Sequence, residues 1–245
     1  MANAPFDSYA RNYETLHDQN LASFGAESRE FLEAKLRWCA QFGTKHFKEV
    51  SYSKKFLDYG CGTGRFGHEF HKYFSQSWTY VGVDSSVSSI KEAQEQRTAS
   101  SCQKSRGSED PLFLRLDCWN QSGTQYDFIL AACVFHHIEP EDRQLILRKL
   151  WKGLREGGVI VIWEHNPWNP ITRRIVNDCP FDKDACLLSI SEMICLWHEA
   201  INGGKTGYQF VTFFPGVLQI LQPLERMLGR LPLGGQWVFW GKKGE

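Results

Sequence analysis

The stretch of sequence that decides the fold is Phe56-Leu57-Asp58-Tyr59-Gly60-Cys61-Gly62-Thr63-Gly64. A short apolar strand at residues 55–58 runs into three glycines at alternate positions, and a helix is predicted over residues 65–74. Glycine permits positive φ and lets a ligand lie against bare backbone. In an open parallel sheet such a turn lies at the carboxyl ends of the strands, so it predicts a ligand site there.

Outward from this turn, apolar strands alternate with amphipathic helices. This alternation indicates βαβ units and an α/β fold, with a mostly parallel sheet that carries helices on both faces. The predicted strands cover residues 55–58, 78–84, 112–116, 126–133 and 159–163, and the predicted helices between them cover residues 65–74, 86–97 and 140–156.

The two ends of the chain depart from this rhythm. Residues 1–50 are predicted to be a helical N-terminal cap, and residues 51–164 the ligand-binding core. Residues 165–207 begin with a proline-rich stretch, expected to be a loop or lid, and end in a helix. Residues 208–245 contain two late strands with a helix predicted between them over residues 217–228, and these strands are expected to extend the sheet at one edge. We therefore expect a single domain.

Composition excludes several function classes. The 245-residue chain has 28 basic and 28 acidic residues, so its net charge is zero, which argues against a nucleic-acid partner. No apolar run approaches a membrane span, and the first residues are too polar for a secretory signal. Eight cysteines, several inside strand-like runs, favour free thiols over disulfides. These features predict a cytoplasmic protein that binds small molecules; they do not indicate an oligomeric state.

Two ligands compete for the glycine turn. Residues 62–67 match G-x-G-x-x-G, the fingerprint of dinucleotide sites, so an NAD(P)-dependent oxidoreductase is one alternative. Asp58 lies two residues before Gly60, and a carboxylate there would repel a pyrophosphate. It suits instead the ammonium of an amino acid, and S-adenosylmethionine carries both an adenosine and such an ammonium. The sequence therefore favours S-adenosylmethionine.

Five motifs in order resemble those of the class I S-adenosylmethionine-dependent methyltransferases. They are FLDYGCGTG, YVGVDSS, LRLDCW, YDFILAACVFHHIEP and LREGGVIVIWEHNP, which together cover roughly residues 56–166. The resemblance implies the Rossmann-like fold of that family. The segment FDSYARNYETLHDQNL near the N-terminus is similar to the subgroup related to quinone-biosynthesis methyltransferases.

The resemblance also implies which residues contact the cofactor. Asp84 would accept the ribose hydroxyls, with a helix cap as the alternative, and Asp117 would contact the adenine, with a capping role as the alternative. Tyr13 lies on a helix face that could close over the cofactor or simply pack. The full expected set is Tyr13, Asp58, Gly60, Cys61, Gly62, Gly64, Asp84, Ser85, Asp117, Cys118, Ala132 and His137.

The acceptor side is expected where the fourth and fifth strands end. A base is needed only if the acceptor carries a proton, and His165 is the first candidate because an imidazole titrates near neutral pH. His137 is the second candidate and Glu164 the third; anchoring the lid is the alternative for His165. No acid stands at Ala131 or Ala132, so a magnesium-dependent catechol-type site is not expected and no metal ligand is predicted.

Together these observations predict metal-independent methyl transfer from S-adenosylmethionine to a small-molecule acceptor. One alternative is a protein of the same fold that binds the cofactor without catalysis. The other is the NAD(P)-dependent oxidoreductase.

Overall fold

The computed structural model of the chain is a seven-stranded sheet flanked by helices. It describes residue 7 and residues 10–22, 25–47, 52–100, 110–120, 123–214 and 225–244. The strands are β1 (Lys54–Tyr59), β2 (Trp78–Asp84), β3 (Leu112–Arg115), β4 (Tyr126–Ala132), β5 (Leu154–His165), β6 (Lys205–Val211) and β7 (Gln236–Lys242).

Helices cover both faces of the sheet. The α-helices are α1 (Tyr13–Ala22), α2 (Ser28–His46), α3 (Arg65–Glu69), α4 (Val87–Ser100), α5 (Leu116–Asn120), α6 (Pro140–Lys152), α7 (Pro170–Asp178), α8 (Ile190–Ala200) and α9 (Glu225–Leu228). Short 3-10 turns cover Ala10–Asn12, Phe70–Lys72 and Phe135–His137. None of the described helices is long and apolar enough to cross a membrane.

The sheet order confirms the predicted architecture. The strands lie in the order β3-β2-β1-β4-β5-β7-β6, and all pairs from β3 to β5 are parallel. β7 lies antiparallel between β5 and β6, so the two late strands do extend one edge. The strand order reverses between β1 and β4, and ligands of open α/β sheets bind at such a point.

Two apolar cores lie on opposite faces of this sheet. One is rich in aromatic rings, with Phe56 stacked on Phe128 at a centroid distance of 4.8 Å. The other contains Trp197 and Trp237, both buried. Trp163 is also buried, whereas Trp168 is 52% exposed.

Several predicted element boundaries differ from the structure. The helix predicted over residues 140–156 ends at Lys152, because Leu154 already pairs with Tyr126 at the start of β5. The proline-rich segment contains α7, whose first amides are capped by the side chain of Asn169. Leu116, predicted as the last residue of the third strand, is instead the first residue of α5. Most of the helix expected over residues 217–228 lies outside the described residues.

Candidate active site

A cavity of about 810 Å³ opens at the carboxyl ends of the parallel strands. The glycine loop and the ends of β1 and β2 form one side, which we call the cofactor half. The residues after β4, the end of β5 and the loop at residues 179–186 form the other side, which we call the acceptor half. Helices α1, α2 and α7, together with residues next to the ends of β6 and β7, contribute most of the remaining wall. The volume of the cavity is within the range of small-molecule binding sites.

The glycine loop has the backbone that only glycine adopts easily. Gly60, Gly62 and Gly64 have φ of +78°, +54° and +79°. A Cβ on Gly60 would collide with Val134, and one on Gly64 would lie 2.7 Å from the Phe113 ring. A Cβ on Gly62 would meet nothing within 4 Å. Gly60 and Gly62 line the cavity, whereas Gly64 packs behind the loop.

Asp84 ties the loop to the end of β2. Its Oδ2 accepts the amide of Gly62 at 2.9 Å, and its Oδ1 accepts the amide of Ser86 at 2.8 Å. Burial raises the pKa of this carboxyl. Each oxygen keeps further acceptor capacity toward the cavity, which Asp84 and Ser85 both line. The capping role and the ribose role are therefore compatible.

Asp58 is buried at the end of β1 and lines the cavity. The Tyr80 hydroxyl donates to its Oδ2 at 2.6 Å. Burial raises the pKa of Asp58 to about 6, against the opposing effects of Tyr80 and Lys35. Lys35 extends from α2 into the same cavity, where its ammonium lies 3.4 Å from the Cys133 sulfur. Lys35 was not predicted as a site residue, because it lies in a helix outside the five motifs.

Of the other predicted cofactor residues, some line the cavity and some do not. Cys61 and Ala132 line the cavity, as expected. Asp117 is exposed and outside the lining, where its carboxylate accepts from Arg115 and from the amide of Cys118. Both contacts are to neighbouring residues of the chain, and Cys118 is likewise outside the lining. The side chain of Tyr13 lies outside the described residues.

Glu164 lies at the centre of a buried network in the acceptor half. Its Oε1 accepts the amides of Val134 and Phe135 at 2.8 and 2.7 Å, and its Oε2 lies 2.5 Å from His136 Nδ1. Its side chain is fully buried and outside the cavity lining. The prediction of Glu164 as a base therefore does not fit, because both oxygens already anchor the turn after β4.

His136 is held from two sides. Besides Glu164, it faces Asp182, whose Oδ1 lies 3.7 Å from His136 Nε2. Burial alone would lower the pKa of His136, but the two carboxylates raise it to about 10. The same Asp182 oxygen lies 3.2 Å from Nε2 of His137, which also lines the cavity. These contacts hold the pKa of Asp182 well below its usual range despite burial.

His165 follows this network at the end of β5 and lines the cavity. Its ring centroid lies 5.1 Å from that of His136. Burial, together with the nearby His136 charge, lowers the pKa of His165 to about 4. The imidazole is therefore neutral at neutral pH, with a lone pair available in the acceptor half.

Sequence reasoning missed His136 and Asp182 as members of the acceptor half. His136 adjoins the predicted site residue His137, and Asp182 lies in the proline-rich stretch that the sequence predicts to be a loop or lid. The acidic pair Asp182 and Asp184 within PFDKDA was the available signal. It becomes interpretable only when the loop is placed against the end of β4.

Comparison with known proteins agrees with this geometry. Residues 57–160 match the family model described as a methyltransferase domain. Among solved structures, an S-adenosylmethionine-dependent methyltransferase from Archaeoglobus fulgidus has a TM-score of 0.62 at 18% identity, covering 89% of this chain and 95% of that one. A possible histamine N-methyltransferase from Thermotoga maritima has a TM-score of 0.61 at 17% identity, covering 98% of both chains.

The curated relatives are carboxy-S-adenosyl-L-methionine synthases. The protein from Helicobacter pylori is 26% identical over 130 residues, which are 51% of this chain and 50% of that protein. The protein from Trichodesmium erythraeum is 25% identical over 171 residues, 68% of this chain and 57% of that protein. The chain thus spans about half the length of these relatives.

The matched domain contains the glycine loop and Asp84. The seven-stranded sheet continues beyond this domain, and its fold is similar to that of the methyltransferase structures. Residues 57–160 therefore match a methyltransferase domain, and the whole sheet has the Rossmann-like fold of S-adenosylmethionine-dependent methyltransferases.

Proposed function

We propose that the protein transfers the methyl group of S-adenosylmethionine to a small-molecule acceptor. The observation that carries this proposal is one continuous cavity with two chemically different halves. Backbone amides, Asp58 and Asp84 surround the cofactor half. Imidazoles and Asp182 surround the acceptor half. A donor and an acceptor bound in the two halves would meet inside one enclosed volume.

The proposed cofactor contacts follow from this division. Asp58 would receive the ammonium of the methionine moiety, and Asp84 the ribose hydroxyls, while the glycine loop lies against the cofactor. Gly60, Cys61, Gly62, Ser85, Ala132 and His137 remain proposed contacts because they line the cavity. Tyr13, Gly64, Asp117 and Cys118 remain sequence-based predictions without a lining position to support them.

The sulfonium of S-adenosylmethionine is already an activated methyl donor. The main task of the protein is therefore to align the acceptor with the methyl group and to exclude water. Helices α1, α2 and α7 would supply this enclosure, since residues of all three line the cavity. His165 and His137 would contact the acceptor, with His165 contributing a neutral imidazole.

A small acceptor remains the preferred class. The net charge of zero argues against a nucleic-acid partner, and a cytoplasmic location remains an expectation from composition. Two proteins of this fold are named for small or medium-sized acceptors: a magnesium protoporphyrin IX methyltransferase (TM-score 0.55, 14% identity) and a plantazolicin methyltransferase (TM-score 0.59, 14% identity). We also propose that the four segments bounded at residues 50, 164 and 207 form one domain around this cavity.

Thermal unfolding with added ligands tests the cofactor. S-adenosylmethionine and its demethylated product should each raise the melting temperature, since ligand at about 100 times Kd adds roughly 2.7 kcal/mol. NADH should not. A shift with NADH and none with S-adenosylmethionine would assign the protein to the oxidoreductases instead.

Labelled cofactor tests the reaction. The protein is incubated with methyl-labelled S-adenosylmethionine and a metabolite extract, and the labelled product is isolated. We expect a methylated small molecule together with the demethylated cofactor. Formation of carboxy-S-adenosylmethionine would assign the reaction for which the curated relatives are named. Cofactor binding without any product in repeated extracts would favour the non-catalytic alternative.

A further inference from the structure

Three groups that commonly ligate metals converge in the acceptor half. Ligand atoms of His136, His165 and Asp182 all lie within 4.8 Å of one another. They come from three separate parts of the fold: the turn after β4, the end of β5 and the loop at residues 179–186. All three side chains line the cavity, so a shared ligand could be reached by an acceptor.

The orientation of His136 suits a ligating imidazole. Its Nδ1 faces Glu164 Oε2, which leaves Nε2 directed at Asp182, 3.7 Å away. Metal-binding histidines usually donate their other ring nitrogen to a carboxylate, which fixes the tautomer and the ring plane. Glu164 is itself fixed by the amides of Val134 and Phe135. The ring is therefore held in place before any ion binds.

The charge of the site also favours a cation. Glu164 and Asp182 place two carboxylates in a buried region, and buried charge is costly unless it is compensated. Lys35 contacts Cys133 in the same cavity, outside the three-residue cluster. Two imidazoles and one carboxylate are donors that suit Zn²⁺ and Fe²⁺ better than Mg²⁺ or Ca²⁺.

We propose that His136, His165 and Asp182 bind one divalent first-row transition-metal ion, with Glu164 as the residue that orients His136. The proposal deepens the proposed function, because three protein ligands leave positions open to an acceptor atom. The ion would then hold an acceptor oxygen or nitrogen in place for methyl transfer. His165 becomes a metal ligand in this arrangement, in place of the general base that the sequence suggested.

The competing arrangement uses the same residues without an ion. In it, a proton on His136 joins Glu164 to Asp182, and His137 completes the hydrogen-bonded chain. Both arrangements explain why the polar groups are buried together. They differ in one measurable property, which is specific binding of a transition metal in the absence of cofactor and acceptor.

Titration of the chelator-treated full-length protein with Co²⁺ tests the proposal. We expect one equivalent to bind and to produce a visible d–d spectrum without a thiolate charge-transfer band, and Zn²⁺ should displace it. Asp182→Asn and His165→Gln should each weaken Co²⁺ binding by about a hundredfold. This loss is at least as large as the loss of metal affinity that follows removal of a residue that only orients a ligand. Asp184→Asn is the matched control, because this exposed carboxylate lines the same cavity two residues away and should leave binding unchanged.

The wild-type titration alone can overturn the proposal. No spectrum at one equivalent would leave the proton-linked network as the explanation, and a thiolate band would place the ion at exposed cysteines. An equal loss in Asp184→Asn would also contradict it. Thermal unfolding checks that each variant is folded, and if one variant fails to fold the other decides. Calorimetry with S-adenosylmethionine tests the proposed function separately, so the two proposals can fail independently.

Discussion

The two halves of the cavity are built in different ways. In the cofactor half, the decisive contacts join residues close in sequence or backbone amides, as when Asp84 accepts from Gly62 and Ser86. In the acceptor half, side chains from distant segments meet, as when Glu164 and Asp182 both contact His136. The cofactor half is therefore built mainly from one local backbone motif, whereas the acceptor half brings together side chains from separate segments of the chain.

This difference has an energetic consequence. Backbone amides and glycine conformations survive most changes in neighbouring side chains, so the cofactor half is tolerant except at its glycines and Asp84. The acceptor half is a buried network of charges, in which each partner depends on the others. Removing one member should affect the whole network, whereas changes in the cofactor half should stay local.

The largest effect is expected from His165→Ala. If the acceptor half carries the chemistry, kcat should fall about 10²–10⁴-fold while calorimetric affinity for S-adenosylmethionine remains nearly unchanged. The loss follows whether the imidazole binds a metal or takes a proton. Exposed His198→Ala is the control and should leave both quantities intact. A kcat within about threefold of wild type would remove His165 from the reaction, and His137 would be tested next.

Glu164→Ala should be the most destabilising change in the acceptor half. It leaves His136 without its carboxylate and two amides without an acceptor, so the free energy of unfolding should fall by about 3–5 kcal/mol. Urea denaturation measures it. Glu156→Ala, at an exposed glutamate near Lys243, should change it by less than about 1 kcal/mol. A similar loss of unfolding free energy in both variants would mean that the buried network stabilises the fold no more than an exposed glutamate does.

Asp84→Ala tests the cofactor half. The loss of two charge-assisted hydrogen bonds, roughly 3–4 kcal/mol, should weaken cofactor binding by about a hundredfold to a thousandfold. Calorimetric titration with S-adenosylmethionine measures it. Asp117→Ala is the comparison, since Asp117 lies outside the cavity lining and its loss should leave the affinity unchanged. A comparable loss in that variant would restore the adenine contact predicted from the sequence.

Gly64→Ala and Gly62→Ala separate conformation from packing in the glycine loop. Both require a left-handed backbone, which costs about 1–2 kcal/mol for alanine. Only the methyl group at residue 64 would also press on Phe113 and Ala93, adding about 1–3 kcal/mol. The Gly64 variant should therefore be the less stable of the two in urea denaturation. Equal stabilities would show that the close packing behind the loop can relax.

The smallest effect is a pH dependence at Asp58. Its pKa is raised to about 6, so at pH 5 the carboxyl is mostly protonated and offers no charge to the cofactor ammonium. Affinity for S-adenosylmethionine should therefore fall about tenfold between pH 7.5 and pH 5, or roughly 1.4 kcal/mol. In Asp58→Asn this pH dependence should disappear. An unchanged slope in the variant would assign it to another group.

The contribution of Asp58 to the stability of the ligand-free protein should fall as the pH rises, whereas its contribution to cofactor affinity should increase. A carboxyl whose pKa is raised by folding binds its proton more tightly in the folded state. Its stabilising contribution is therefore complete below pH 4 and is lost as the pH rises through 6. Subtracting the Asp58→Asn curve from the wild-type curve isolates this contribution, and a rising difference over that range would contradict the raised pKa.

The sequence by itself determined the parallel core and most of the cofactor half. A strand, a turn of alternating glycines and a helix form one contiguous unit, so local backbone preferences encode both the loop and its place at the strand ends. The same reasoning correctly placed Asp58, Asp84 and His165 beside the cavity. Asp117 lies outside the cavity lining, because residues 116–120 form a helix after β3, so its adenine contact stays a prediction.

Only the tertiary structure decided the acceptor half. The adjacent residues Glu164 and His165 lie in different surroundings. The glutamate is buried beneath the turn after β4, whereas the histidine lines the cavity. Asp182 gains its role only because the segment from α7 to α8 folds back over His136 and His137. Side-chain charges that meet across long loops leave no fixed spacing in the sequence. Their partners are therefore set by packing and not by local pattern.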